Sequence, residues 1–426
     1  MNSRLIMLGL LSLCCNFPFS QITAAEPSQV NDGFTTNSND WPWWRGANRM
    51  GAAAADQSPP LVWGKSKNIA WEASIPGRGH GSMTVVGDSI YLATADEKSG
   101  SQSVLCFDRA TGKPKWTTQV HAKGGMLKNT KASAASSTLA CDGQRLFVTF
   151  PNSKGLYVTA LDLAGKQLWQ KKVSDYVVHQ GYGASPCLYQ SLVIVSSDNK
   201  SGGAVAAYQR KTGELVWKHN RPKKPNYSSP TILHVAGKDQ LIMIGCDLVT
   251  SLHPLTGKVL WETEGSTTEC VISTVTDGQL IYTSGGYPKN HVAGMRADGS
   301  GELAWEIKSR VYVPSLLIQD GYLYGLLDAG MAACWKADTG EEMWKSRLGG
   351  TFTASPVSVG DLLFATNEAG ETFVFDATPK GYNEIAKNQL GSEVYSTMVI
   401  CGDRIYYRAA NEVDGKRVET LYCIAK

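Results

Sequence analysis

Outside one stretch near its N-terminus, the 426-residue chain has no apolar run long enough to cross a bilayer, which takes about 20 residues. That one stretch, Leu5–Leu13, is too short to span and is soon interrupted by Asn16 and Pro18. Charge of one sign is missing too. Lys+Arg 41 against Asp+Glu 38 gives a net charge of +3 with no basic run, which excludes a nucleic-acid-binding surface. The chain has no Gly-x-Ser-x-Gly, no Gly-x-x-x-x-Gly-Lys-Ser/Thr and no His-Glu-x-x-His, so the common hydrolase, nucleotide and zinc sites are absent. Its 7 histidines are scattered and no Cys-x-x-Cys occurs, so no metal site is expected. "DNKSGG" (198–203) and "DGSGE" (298–302) lack the acid series of a calcium loop and read as turns.

What the chain has is repetition. "DRATGKPKW" (108–116) returns as "DLAGKQLW", "KTGELVW", "LTGKVLW", "SGELAW" and "DTGEEMW". The tryptophans of these segments, Trp116, Trp169, Trp217, Trp261, Trp305 and Trp344, lie 39 to 53 residues apart, and Trp71 precedes them at similar spacing. Such a period marks units that cannot bury an apolar face alone. Before each segment comes a hairpin signal: an alternating run, a Gly/Asp turn, and a β-branched or aromatic run, as in "SMTVVGDSIYLAT" (82–94). The hairpins align on hydroxyl residues, among them Ser82, Thr138, Ser185, Ser273, Ser315, Ser355 and Thr397.

A third short strand and the tryptophan strand complete each unit as a four-stranded antiparallel meander. Eight such units predict an all-β, eight-bladed β-propeller over residues 67–426. The seventh tryptophan strand has decayed to "YNEIAKN" (382–388), and the eighth unit ends at "TLYCIAK" (420–426) without one. "NIAWEAS", carrying Trp71, is expected to supply that strand and close the ring, leaving no open sheet edge. The expected state is a monomer.

Ahead of the ring, residues 1–25 read as a secretory signal with Arg4 in its basic region and small residues before Glu26. Leu13 and Cys14 stand where a lipidated Cys14 or Cys15 would want a small residue. Residues 26–40 read as a flexible polar leader, and 41–66, opening with "WPWWRGANRMG", as a Trp-rich strap against the propeller side. The expected location is periplasmic or secreted.

Repeats of the form hairpin, then Asp-x-x-Thr-Gly-x-x-x-Trp, resemble the PQQ-type (quinoprotein) propeller repeats. The resemblance implies that the seven tryptophans are structural, each docking between neighbouring blades. BamB-type propellers of outer-membrane assembly are similar in blade number and size. They imply an exported, non-catalytic scaffold without cofactor that binds an envelope protein or peptide. The quinoprotein dehydrogenases imply instead an alcohol or sugar dehydrogenase using PQQ and calcium, with Glu269 as a calcium ligand. The adjacent-cysteine clamp common among those enzymes has no counterpart after the signal, where Cys14 and Cys15 lie. A hydrolase using Glu269 and Glu393 would need the two carboxyls roughly 5–10 Å apart.

In propellers, loops entering the innermost strands line an axial funnel, and here they vary while the strands repeat. The candidate binding residues on them are Arg78, His80, Lys131, His179, Tyr182, Asn226, Tyr227, Glu269, Arg310, Tyr312, Phe352, Glu393 and Tyr395.

Cys106, Cys334 and Cys423 share a third-strand slot that holds Ala160, Ala207, Ser251 or Gly294 in other units, which predicts buried thiols in a small-residue position. Replacing each by alanine should cost on the order of 1 kcal/mol. Denaturant titration checks the cost, and a disulfide at any of the three in a mass spectrum of the mature protein would overturn the assignment.

Overall fold

The computed structural model describes residues 30–126 and 129–426. The expected signal segment lies outside the described residues. The rest forms eight four-stranded antiparallel sheets arranged as propeller blades, and no helix occurs among the described residues. Blade 1 runs from Thr84 to His121, blade 2 from Ala140 to Ser174, blade 3 from Cys187 to Arg221, and blade 4 from Thr231 to Glu264. Blade 5 spans Val275–Ile307, blade 6 Leu317–Arg347, and blade 7 Val357–Gln389. Blade 8 takes three strands from Val399–Ile424 and its outermost strand, Ile69–Ile75, from the N-terminal side. That strand pairs antiparallel with Lys416–Ile424, placing Trp71 opposite Cys423, so the ring closes as the sequence predicts.

The first strands of successive blades touch one another around the axis. There the aligned hydroxyls form a relay. Backbone N–H groups of Ser82, Thr138, Ser185, Ser273, Ser315 and Ser355 each donate at 2.9–3.0 Å to the hydroxyl of the next blade, at Thr138, Ser185, Ser229, Ser315, Ser355 and Thr397 in turn. The relay breaks between blades 4 and 5, where the Ser273 hydroxyl accepts instead from Trp44 Nε1 at 2.8 Å, and between blades 8 and 1, where the Ser82 hydroxyl has no partner among the described residues.

At the outer strands, each tryptophan joins two blades. Trp169 of blade 2 donates through Nε1 to Arg210 O of blade 3, 3.0 Å away, and its indole lies over Gly213 of the same turn. Gly213 has φ +71, and a Cβ there would fall 2.7 Å from the indole, so both backbone and neighbour require glycine. Trp71, Trp116, Trp217 and Trp305 repeat the arrangement on Gly112, Gly165, Gly257 and Gly340. Trp261 departs from it: its Nε1 donates to Gln240 Oε1, and Gln240 Nε2 donates on to Ala297 O of blade 5. Within its own blade each indole pairs with the small slot noted above: Trp116 opposite Cys106, Trp169 opposite Ala160, Trp217 opposite Ala207, Trp261 opposite Ser251, Trp305 opposite Gly294, and Trp344 opposite Cys334. Blade 7 inverts the sizes, with Ala386 opposite Val374. All eight cysteines of the described residues are buried and free.

Residues 30–40 differ from the flexible leader expected. Asp32 is buried and pairs with Arg49 at 2.8 Å, and Phe34 meets Trp43 edge-on. The strap does not run along the propeller side at first but crosses one end of the axis. Trp41 bridges to Val85 of blade 1, Pro42 O accepts from Cys141 N of blade 2, and Arg45 reaches Leu316 O and Pro356 O of blades 6 and 7. It then turns outward along the seam between blades 7 and 8. Here Trp63 stacks on Phe364, 6.4 Å between ring centroids, while its backbone N–H donates to Asn388 Oδ1. Tyr91, Phe147, Tyr282, Tyr324 and Tyr406 hold the matching place in other blades and each faces its docking tryptophan at 5.9–6.3 Å. The strap therefore supplies the indole that blade 7 lost at Ala386.

Trp63→Ala should destabilise the fold by roughly 3–5 kcal/mol, as much as Trp217→Ala, because both remove a buried indole at a blade seam. Urea unfolding of the two variants side by side checks this, and a Trp63 variant that unfolds like wild type would remove the equivalence.

Candidate functional site

The loop face opposite the strap gathers the candidate residues into two clusters. The first spans blades 3 to 6 and centres on Glu269, whose side chain is 6% exposed. Its Oε1 lies 3.3 Å from His179 Nδ1, and its Oε2 accepts from the Tyr312 hydroxyl at 3.3 Å. The Tyr227 hydroxyl lies 3.2 Å from the same His179 nitrogen. Burial, reinforced by the Glu269 charge, pushes the Tyr227 and Tyr312 phenols well above the usual tyrosine range, so both remain neutral donors. At the rim Arg310 pairs with Asp328 at 2.9 Å and lies over the Tyr312 ring.

The second cluster joins blades 8, 1 and 2. A chain of ion pairs runs from buried Arg408 to Glu419, then Arg417, Glu393 and Arg78, and ends at Glu97. His80 sits within it, its ring 4.4 Å from that of Tyr395. Burial first, then Arg78, Arg408 and Arg417, holds the His80 imidazole well below the usual histidine range, so it stays neutral. Burial also raises the Tyr395 phenol, with Glu393 adding to the effect. Lys131 pairs with Glu368 at 2.8 Å on the exposed rim.

Three candidates do not face the funnel. Tyr182 is buried, with its hydroxyl donating to Ser196 O at 2.9 Å. Phe352 is fully buried in the core between blades 6 and 7. Asn226 is buried and saturated: its amide donates to Asp198 Oδ2, Ser228 Oγ and Ile244 O, and its oxygen accepts from Cys270 N. Each stands three positions before its blade's aligned serine (Ser185, Ser229 or Ser355). His80, Tyr227 and Tyr395 stand two before, and Arg78, Glu269 and Glu393 four before. The loops thus enter the innermost strands already extended, and period-two alternation turns odd positions into the blades. Tyr312, also at an odd position, reaches Glu269, and Arg310 and Lys131, at odd positions farther out in their loops, reach the rim. Counting parity from the serines would have sorted most of the list. Sequence reasoning missed Arg408, whose signal was an arginine where blade 1 has Ala93.

Glu269 and Glu393 fall in separate clusters, each held by its own partners, so the structure does not assemble them as a catalytic acid pair. Nor does the donor set match a calcium site. Calcium takes 6–8 oxygen ligands, often several of them carboxylate. Here Glu269 is surrounded by an imidazole and phenol donors, and Asn226, the nearest amide in sequence register, is committed inside the blades.

Interlocked tryptophan and turn-glycine seams, an axial hydroxyl relay and a loop-lined funnel define an eight-bladed propeller of the PQQ-like repeat class. Within that class the chain belongs to the family described as outer membrane protein assembly factor BamB, which matches residues 52–176, 100–346 and 288–421. It is 25% identical over 315 residues to the outer membrane protein assembly factor BamB of Bordetella pertussis, covering 70% of this chain and 73% of that protein. Among solved structures it resembles a europium-containing methanol dehydrogenase, with TM-score 0.67 at 14% identity over 92% of this chain and 99% of that one. It also resembles BamB from Moraxella catarrhalis, with TM-score 0.57 at 14% identity over 82% of this chain and 95% of that one. At such identities the structural likeness establishes the fold.

His80 gives this face a pH signature. Its folded pKa is depressed, so as pH falls through about 6.5 the unfolded chain takes up a proton that the folded protein refuses, and stability drops. His80→Gln should reduce the loss in unfolding free energy between pH 7.5 and pH 5. Urea midpoints at the two pH values check it, and an unchanged difference would show that His80 titrates normally.

Proposed function

We propose that this protein is an exported binding scaffold that engages another protein of the cell envelope through its funnel face, with no turnover of its own. The observation that carries the reading is the state of the candidate acids. Glu269 is engaged by His179 and Tyr312, and Glu393 by Arg417 and Arg78, so the acids a quinoprotein or hydrolase would use are bound into ties between blades. What the face offers a partner is a rim of Arg310, Lys131, Tyr395 and His179, where arginine and aromatic anchors suit protein contact. Membership of the BamB family supports a role in outer-membrane protein assembly and a periplasmic location. Among the described residues no helix is long and apolar enough to cross a membrane.

A photoreactive residue placed at Arg310 or Lys131 in intact cells should yield a discrete adduct with an envelope protein. The same residue at Leu168, on the outer strand of blade 2, should not. Purified protein given PQQ, calcium, alcohols and aldoses should reduce no dye. Turnover abolished by Glu269→Gln would replace the scaffold with a quinoprotein dehydrogenase.

A further inference from the structure

The strap roofs a partly open cavity of about 20 Å³ against the innermost strands of blades 3 to 5, enough for a water-sized particle. Its lining comprises Trp43, Trp44, Arg45 and Arg49 from the strap with Ser185, Ser229 and Ser273 from the hydroxyl relay, along with their Pro and Thr neighbours and Cys187. The polar side chains here are donors. Trp43 Nε1, Arg45 Nε and Arg49 Nε are buried N–H groups with no acceptor among the described residues. The Ser185, Ser229 and Ser273 hydroxyl oxygens already accept from Thr138 N, Ser185 N and Trp44 Nε1, which leaves their own protons to be donated.

Charge points the same way. Arg49 pairs with Asp32, but Arg45, only 2% exposed, meets no carboxylate among the described residues. Its guanidinium donates to the carbonyls of Met50, Leu316 and Pro356 alone. Burial pulls its pKa down to about 9. A buried cation surrounded only by carbonyl dipoles is costly, and a donor-lined cavity beside it is built for negative charge.

We infer that this axial cavity binds a small monovalent anion, of which chloride is the physiological example, and that the anion pins the strap across the ring. The unpartnered groups facing it are N–H donors that lack acceptors, which excludes a cation. Binding to the folded state alone raises stability, which above the dissociation constant keeps growing with the logarithm of the anion concentration.

The test uses the full mature chain and a halide probe. At fixed ionic strength, exchanging sodium gluconate for sodium chloride should raise Tm by on the order of 2 °C. Trp43→Phe, which removes one N–H and keeps the ring, should reduce that rise by about half, and Arg45→Met should abolish it. Crystals grown in bromide should show an anomalous peak within hydrogen-bonding distance of the Arg45 or Arg49 guanidinium. Should Arg45→Met fail to fold, the Trp43 variant and the bromide peak still decide. Equal Tm in the two salts, a chloride effect undiminished by Trp43→Phe, or a bromide-grown crystal without a peak in the cavity would each overturn the assignment.

Discussion

Everything in this ring depends on an indole lying against a glycine across a seam. A blade of four short strands exposes apolar surface on both faces and is not stable alone. Trp169 over Gly213, with its Nε1 held by Arg210 O, shows how the contact fixes distance and angle together. Dispersion needs the close approach that only glycine permits, and the hydrogen bond orients the ring. Repeated around the circle, one local rule sets the tilt of each blade on the next, and hence the funnel that the variable loops decorate.

That rule leaves a readable imprint because its parts lie close in sequence. Each repeat carries its own turn glycine, tryptophan and small residue, and the glycine that receives an indole lies one repeat on, so spacing alone disclosed the blades and the closing strand at Trp71. The small slot at Cys106, Cys334 and Cys423 was visible as composition, and its cause, an indole directly opposite, emerges from strand register. The relay at the axis was visible only as aligned hydroxyls.

Where partners are distant in sequence, the imprint fades. "WPWWRG" carried no period, so its path across the axis and the replacement of a blade-7 indole by Trp63 were not legible. Loop chemistry alone places Tyr182, Asn226 and Phe352 in the funnel, and strand parity turns them into the blades. The Glu269 cluster draws on four blades, and no spacing rule links His179, Tyr227 and Tyr312 before the ring is closed. Family membership bounds the role of this face, while the residues that give it character lie in the segments that repeat least.

The placement of Trp63 and Ile69–Ile75 has a consequence for how the protein is made. Both precede blade 1 in the sequence, yet their partners, Phe364 and Lys416–Ile424, belong to blades 7 and 8. Trp63 and Ile69–Ile75 stay unpaired until blades 7 and 8 exist, so loops of more than 300 residues must close to complete the ring. A chain released early, or damaged near its C-terminus, presents an unpaired strand and an exposed indole instead of a ring. Closure of the ring therefore reports that blades 7 and 8 are intact, because Trp63 and Ile69–Ile75 are covered only when both are present.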